Sequence, residues 1–145
     1  MGGNGLLSDY GLIIGLAVTL ILGIILVVII TRHAPKTMLD KEFYQAEWLK
    51  IINTCELGNR DSLAMAVLSG DKLVDKAMIE LGLSGKTMGE KLKNNPKKFS
   101  NLNGLWQAHK LRNRLAHETN FDLSKNDVTT ALVDFKRALK DLGAI

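Results

Sequence analysis

Cysteine occurs once, at Cys55, so the chain cannot staple itself with a disulfide, and a reducing compartment suits it. Proline occurs only at Pro35 and Pro96, each inside a polar stretch that reads as a break between elements. No Cys/His cluster has metal-ligand spacing, no glycine-rich phosphate loop follows a strand, and Gly-x-Ser-x-Gly is missing. These absences argue against metal-dependent hydrolysis and nucleotide-driven transport, and no metal or cofactor is expected. Strand-like alternation and internal repeats are lacking too, which points to an all-α chain.

Charge is absent from Gly11 to Ile30, where Thr19 carries the only conventional hydrogen-bonding side chain. At the helical rise twenty residues cover about 30 Å, the thickness of a bilayer's hydrocarbon core. The expectation is therefore a transmembrane helix over 10–31, started by Ser8 or Asp9 as a cap, with Tyr10 at the headgroups. A cleavable signal peptide fits less well, because the first ten residues hold no Lys or Arg and no small-x-small site follows. All nineteen Lys and Arg come after the apolar run, so the positive-inside rule places residues 1–9 outside and the rest in the cytoplasm. The expected localisation is a cell membrane, single-pass. Gly11 and Gly15 form a small-x-x-x-small pair suited to packing two spans.

Residues 32–37 read as a linker and 38–145 as a helical bundle. Nineteen basic against fourteen acidic residues leave +5 on 32–145, a balance that favours RNA or an anionic leaflet. The first bundle helix is expected over 38–56, capped by Thr37 or Asp40, with Leu39, Phe43, Ala46, Leu49, Ile52 and Cys55 inward. Cys55 on that face reads as inert packing. The second spans 61–81, with Leu63, Val67, Gly70, Val74, Ala77 and Leu81 on one stripe; a neighbour could approach closely at Gly70, and Gly82 is the stop.

A short helix is expected over 88–93, then a break at Asn94-Asn95-Pro96. The third long helix follows a Ser100 cap and turns Leu102, Leu105, Trp106, His109 and Ala116 to the core, His109 as a hydrogen-bonded core histidine. The fourth runs over 124–142, with Ser124 and Asp127 as a capping box, a clean apolar face from Val128 to Leu142, and Gly143 as its end. An antiparallel four-helix bundle behind a membrane anchor is the economical architecture.

Late in the third helix lies Leu111-Arg112-Asn113-Arg114-Leu115-Ala116-His117-Glu118. Arginine offers a forked cation for phosphate, and histidine exchanges protons near neutral pH. Five positions apart, the two point about 140° from each other around a helix. With Arg112, four intervening residues and His117 placed before the last helix, residues 38–143 resemble the HEPN superfamily of small α-helical bundles.

That resemblance implies a metal-independent endoribonuclease of toxin or defence type, with Arg112 on the scissile phosphate, His117 as general base or acid, and Asn113 orienting either. It also implies a homodimer whose two motifs form one composite cleft. Some nuclease members have Tyr two places after the His, where this chain has Thr119. Asp71, Asp75 and Glu80 are available as an acidic helper, and sequence does not choose among them. Lys110, Arg114, Lys91, Lys93, Lys97 and Lys98 are candidate contacts to single-stranded RNA or lipid. The other open reading is a non-catalytic tethered scaffold that binds a protein partner or RNA.

Overall fold

The computed structural model describes residues 4–32, 38–118 and 121–145, which fall into two units, Met1–Ala34 and Pro35–Ile145. The first unit is one helix, α1 (Asn4–Arg32). The expected transmembrane helix, and with it the single-pass membrane localisation, is corrected here: among the described residues no helix is long and apolar enough to cross a membrane. A Cβ at Gly11 or Gly15 would meet nothing within 4 Å, so no packing among the described residues explains that pair. The leader over 1–3, the side chains of Ser8, Asp9 and Tyr10, and the linker side chains over 32–37 lie outside the described residues.

The second unit is a helical bundle: α2 (Lys41–Asn53), α3 (Arg60–Glu80), α4 (Met88–Asn94), a 3-10 turn at Pro96–Lys98, α5 (Leu102–His117) and α6 (Lys125–Asp141). At its centre α3, α5 and α6 pack on one another, while α2 lies on α3 and α4 on α5. Local chemistry sets the helix starts. Asp40 accepts from the Phe43 N–H at 3.1 Å, Asn59 from Asp61 and Ser62, Thr87 from Glu90, and Ser124 from Asp127. Gly82 and Gly143 take positive φ just past α3 and α6, where Leu83 N–H reaches Met78 and Ala144 N–H reaches Leu139, the closing bonds of Schellman motifs.

Two helix ends differ in detail from the sequence pattern. Asn101, not Ser100, caps α5 by accepting from Gly104, because both the amide and hydroxyl of Ser100 donate to Asp141 Oδ2. The first bundle helix ends at Asn53, where the Thr54 hydroxyl donates back to the Lys50 carbonyl. Cys55 is therefore past the helix, half-buried against the core, and burial pushes its thiol pKa up, consistent with packing rather than reactivity.

The faces of α3 and α6 follow the sequence pattern. Val67, Val74, Ala77, Val128, Phe135 and Leu139 are all buried. Gly70 permits the close crossing of these helices: a Cβ there would sit 2.7 Å from Phe135 Cδ2. On α2 the pattern misleads. Tyr44, Trp48 and Ile51 are buried, while Phe43, Ala46, Leu49 and Ile52 are exposed. Two apolar stripes compete on this helix, and the one with the large aromatics removes more apolar area from water. Ala116 likewise stands exposed, because the last turn of α5 runs beyond the core and Leu111 supplies the inward contact instead.

Fully buried, Tyr44 holds its hydroxyl near the Glu80 carboxylate. Burial first, then the Glu80 charge, raise its pKa well above the ordinary 10.0. The protonated phenol is thus favoured in the folded state, so its contribution to stability is complete below about pH 10 and is lost as pH rises beyond the unfolded value. In the Tyr10→Phe chain, where Tyr44 is the only tyrosine, tyrosinate absorbance is expected to rise only together with alkaline unfolding. Ionisation near pH 10 in a still-folded protein would contradict this environment.

Candidate active site

The third long helix delivers its polar residues to a cleft of about 690 Å³ between α3, α4 and α5, lined by Asp71, Lys72, Asp75, Thr87, His109, Arg112 and Asn113 among others. Helical spacing explains the grouping. His109, Arg112 and Asn113 lie at i, i+3 and i+4 on one face of α5, and Asp71 and Asp75 at i and i+4 on α3.

Four of these side chains close a ring. Asp71 Oδ1 lies 2.8 Å from His109 Nδ1; His109 Nε2 lies 3.3 Å from Asn113 Nδ2; Asn113 Oδ1 accepts from Arg112 Nη1 at 3.1 Å; and Arg112 Nε returns to Asp71 Oδ2 at 3.4 Å. The last link is an ion pair without hydrogen-bond geometry. Because the Asn113 oxygen faces Arg112, its amide N–H groups must face His109. That makes Nε2 the acceptor and leaves the ring proton on Nδ1, donated to Asp71. The neutral imidazole therefore turns a lone pair towards the cleft, held there by a carboxylate that is only 7% exposed.

Of the three acidic candidates on α3, the ring uses Asp71. Asp75 instead takes Lys91 Nζ at 2.9 Å, and Glu80 lies beside Tyr44 and 3.9 Å from Lys76. Lys91, read from sequence as a surface contact, is 4% exposed, and its ammonium is turned inward to this pair. Lys93, Lys97 and Lys98 are exposed on α4 and the turn after it, outside the cleft lining.

Lys110 and Arg114 line a different depression, between α5 and α6, together with Asp127 and Asp134. Arg114 is already engaged there, 3.3 Å from Glu118 Oε2 and stacked 3.8 Å over the Phe121 ring. His117 ends α5 exposed and does not line the Arg112 cleft, as the 140° offset between the two positions requires. Thr119 lies outside the described residues.

The sequence pattern assigns His109 to the core and does not single out Lys72. The hydrogen bond expected of His109 is present, but it is made to the floor of a solvent-accessible cleft. The available signal is the i, i+3, i+4 set of His109, Arg112 and Asn113, which pairs Arg112 with a histidine on its own face. Among the described residues no group of three or more His, Cys, Asp or Glu side chains is arranged to hold a metal ion. The set can orient a proton acceptor and present a fixed guanidinium beside it. Neither protein-family models, nor characterised proteins, nor solved structures match the chain.

Proposed function

We propose that the bundle is a HEPN-like, metal-independent endoribonuclease acting on single-stranded RNA. The observation that carries this reading is the Asp71–His109 pair fixed beside Arg112 in one cleft. Arg112 retains donors beyond its Asn113 bond and would hold the scissile phosphate, with Lys72 adding a second cation at the cleft edge. A ribose 2′-hydroxyl can displace the long 3.3 Å Asn113 contact and donate to His109 Nε2, which then removes its proton as the oxygen attacks phosphorus. Asp71 stabilises the imidazolium so formed.

The leaving 5′-oxygen needs a proton from an acid. His117, exposed at the end of α5 and turned away from its own Arg112, suits that role from a second copy of the chain, as the resemblance implies.

Incubation of the protein with single-stranded RNA in excess chelator tests this reading. Cleavage is expected to persist, to fall at least about 100-fold in Arg112→Ala and His109→Gln, and to be restored in part when His117→Ala is mixed with Arg112→Ala, each supplying what the other lacks. Cleavage unchanged in both Arg112→Ala and His109→Gln, with folding intact by circular dichroism, would sink it.

A further inference from the structure

On the side of α3 away from Arg112, a groove of about 670 Å³ runs along the α2–α3 hairpin, floored by Phe43, Ile51, Met65, Ala66 and Leu73. The hairpin carries most of the bundle's exposed large apolar side chains, among them Met65 at 59%, Leu57 at 58% and Ile79 at 58%. Such a patch marks an interaction surface. Its charges show what fits there.

Asp61, Met65, Ser69, Lys72, Lys76 and Ile79 recur in steps of three and four residues, a single stripe along α3. The stripe is acidic at its start and basic towards its end. Turned end for end, it is complementary to itself: with Ser69 at the centre, Asp61 of one copy meets Lys76 of the other, Met65 lies along the aliphatic stem of Lys72, and Leu57 approaches Ile79.

We infer that this groove is a two-fold interface for a second copy of this chain, the α3 helices crossing antiparallel at Ser69. An isologous contact needs a self-complementary patch, and this one satisfies the condition in both apolar pattern and charge. Lys76 is held over the Phe43 ring at 3.8 Å, so its ammonium is presented at the groove's rim rather than free to swing away. Lys72 borders both this groove and the Arg112 cleft, but the interface leaves the Asp71–His109–Asn113–Arg112 ring itself untouched, and it is a contact additional to the one that would carry His117 of a second copy to the cleft.

The test uses the full chain in a Cys55→Ser background and reads disulfide cross-linking under mild oxidation. Ser69→Cys is expected to give mainly cross-linked dimer, whereas Lys136→Cys, exposed on α6, is expected to give several-fold less. Adding Asp61→Lys or Lys76→Glu to Ser69→Cys sets like charges opposite one another, and cross-linking should drop several-fold in each. In an equal mixture of those two charge variants, a mixed dimer again faces a cation with an anion at both ends of the crossing, so cross-linking should return. Misfolded variants would not recover on mixing. Equal cross-linking at positions 69 and 136 would overturn the interface, as it would show association without this register. So would single charge reversals without effect, or a mixture that stays uncoupled.

Discussion

Phe135→Ala is expected to be the most damaging single truncation in the bundle, lowering stability by about 3–5 kcal/mol in a denaturant or thermal titration of the folded chain. Its ring is fully buried on α6 and fills the crossing with α3, where Gly70 leaves no side chain in the way. Removing the ring opens a cavity at the contact that joins the two most extensively packed helices. Gly70→Ala attacks the same contact from the opposite side. Its Cβ would lie 2.7 Å from Phe135 Cδ2, closer than two carbons tolerate, so the helices must separate or the ring must leave its rotamer, at a cost of about 1–3 kcal/mol.

The two effects are coupled in a way that a double-mutant cycle detects. Once residue 135 is alanine, a methyl at 70 meets no obstacle, and the better helix propensity of alanine should make Gly70→Ala stabilising by up to about 1 kcal/mol. Additivity within about 0.5 kcal/mol would show that the crossing is not held by this pair.

That crossing is legible in the sequence because glycine is conspicuous within an otherwise regular apolar stripe, and the α6 face is legible because Val128, Ala131, Leu132, Phe135 and Leu139 leave only one way to turn the helix. Legibility fails where two solutions are nearly equal. On α2 the stripe through Phe43, Ala46, Leu49 and Ile52 is as regular as the one through Tyr44, Trp48 and Ile51, and periodicity does not weigh ring area against aliphatic area. The apolar residues left outside then contribute to the surface that α2 and α3 present.

Length and apolarity along one segment point to a membrane span, whereas among the described residues no helix is long and apolar enough for one. The site is half legible for a related reason. A linear motif names Arg112 and His117 by their separation, but the partner that shares a face with Arg112 is His109, and the carboxylate beneath both comes from position 71 on another helix. Only the packing of α3 against α5 chooses Asp71 over Asp75 and Glu80, because Lys91 and Tyr44 claim the other two.

Asp71→Ala is expected to cost about 3 kcal/mol and to abolish whatever chemistry the cleft performs, the larger functional loss of any change at this site outside Arg112 itself. Without the carboxylate, His109 Nδ1–H loses its acceptor and Arg112 its ion-pair partner in a pocket that water does not fully reach, since the Asp71 side chain is only 7% exposed and His109 13%.

His109 can then exchange tautomers, putting the proton on Nε2 opposite the Asn113 amide N–H. Two donors cannot share that contact, so Asn113 must flip, and the flip withdraws its oxygen from Arg112. One substitution therefore unlocks three side chains. Asp71→Asn separates charge from shape: its amide oxygen still accepts from Nδ1, so the tautomer survives, but its NH₂ confronts Arg112 Nε and the guanidinium loses its anchor. Nitrogen NMR of the imidazole is expected to show Nδ1 protonated in the native protein and in Asp71→Asn, and a mixture of tautomers in Asp71→Ala. An unchanged imidazole spectrum in Asp71→Ala would mean that His109 is oriented by something other than this carboxylate, and the proton-acceptor role assigned to it would fail with the ring.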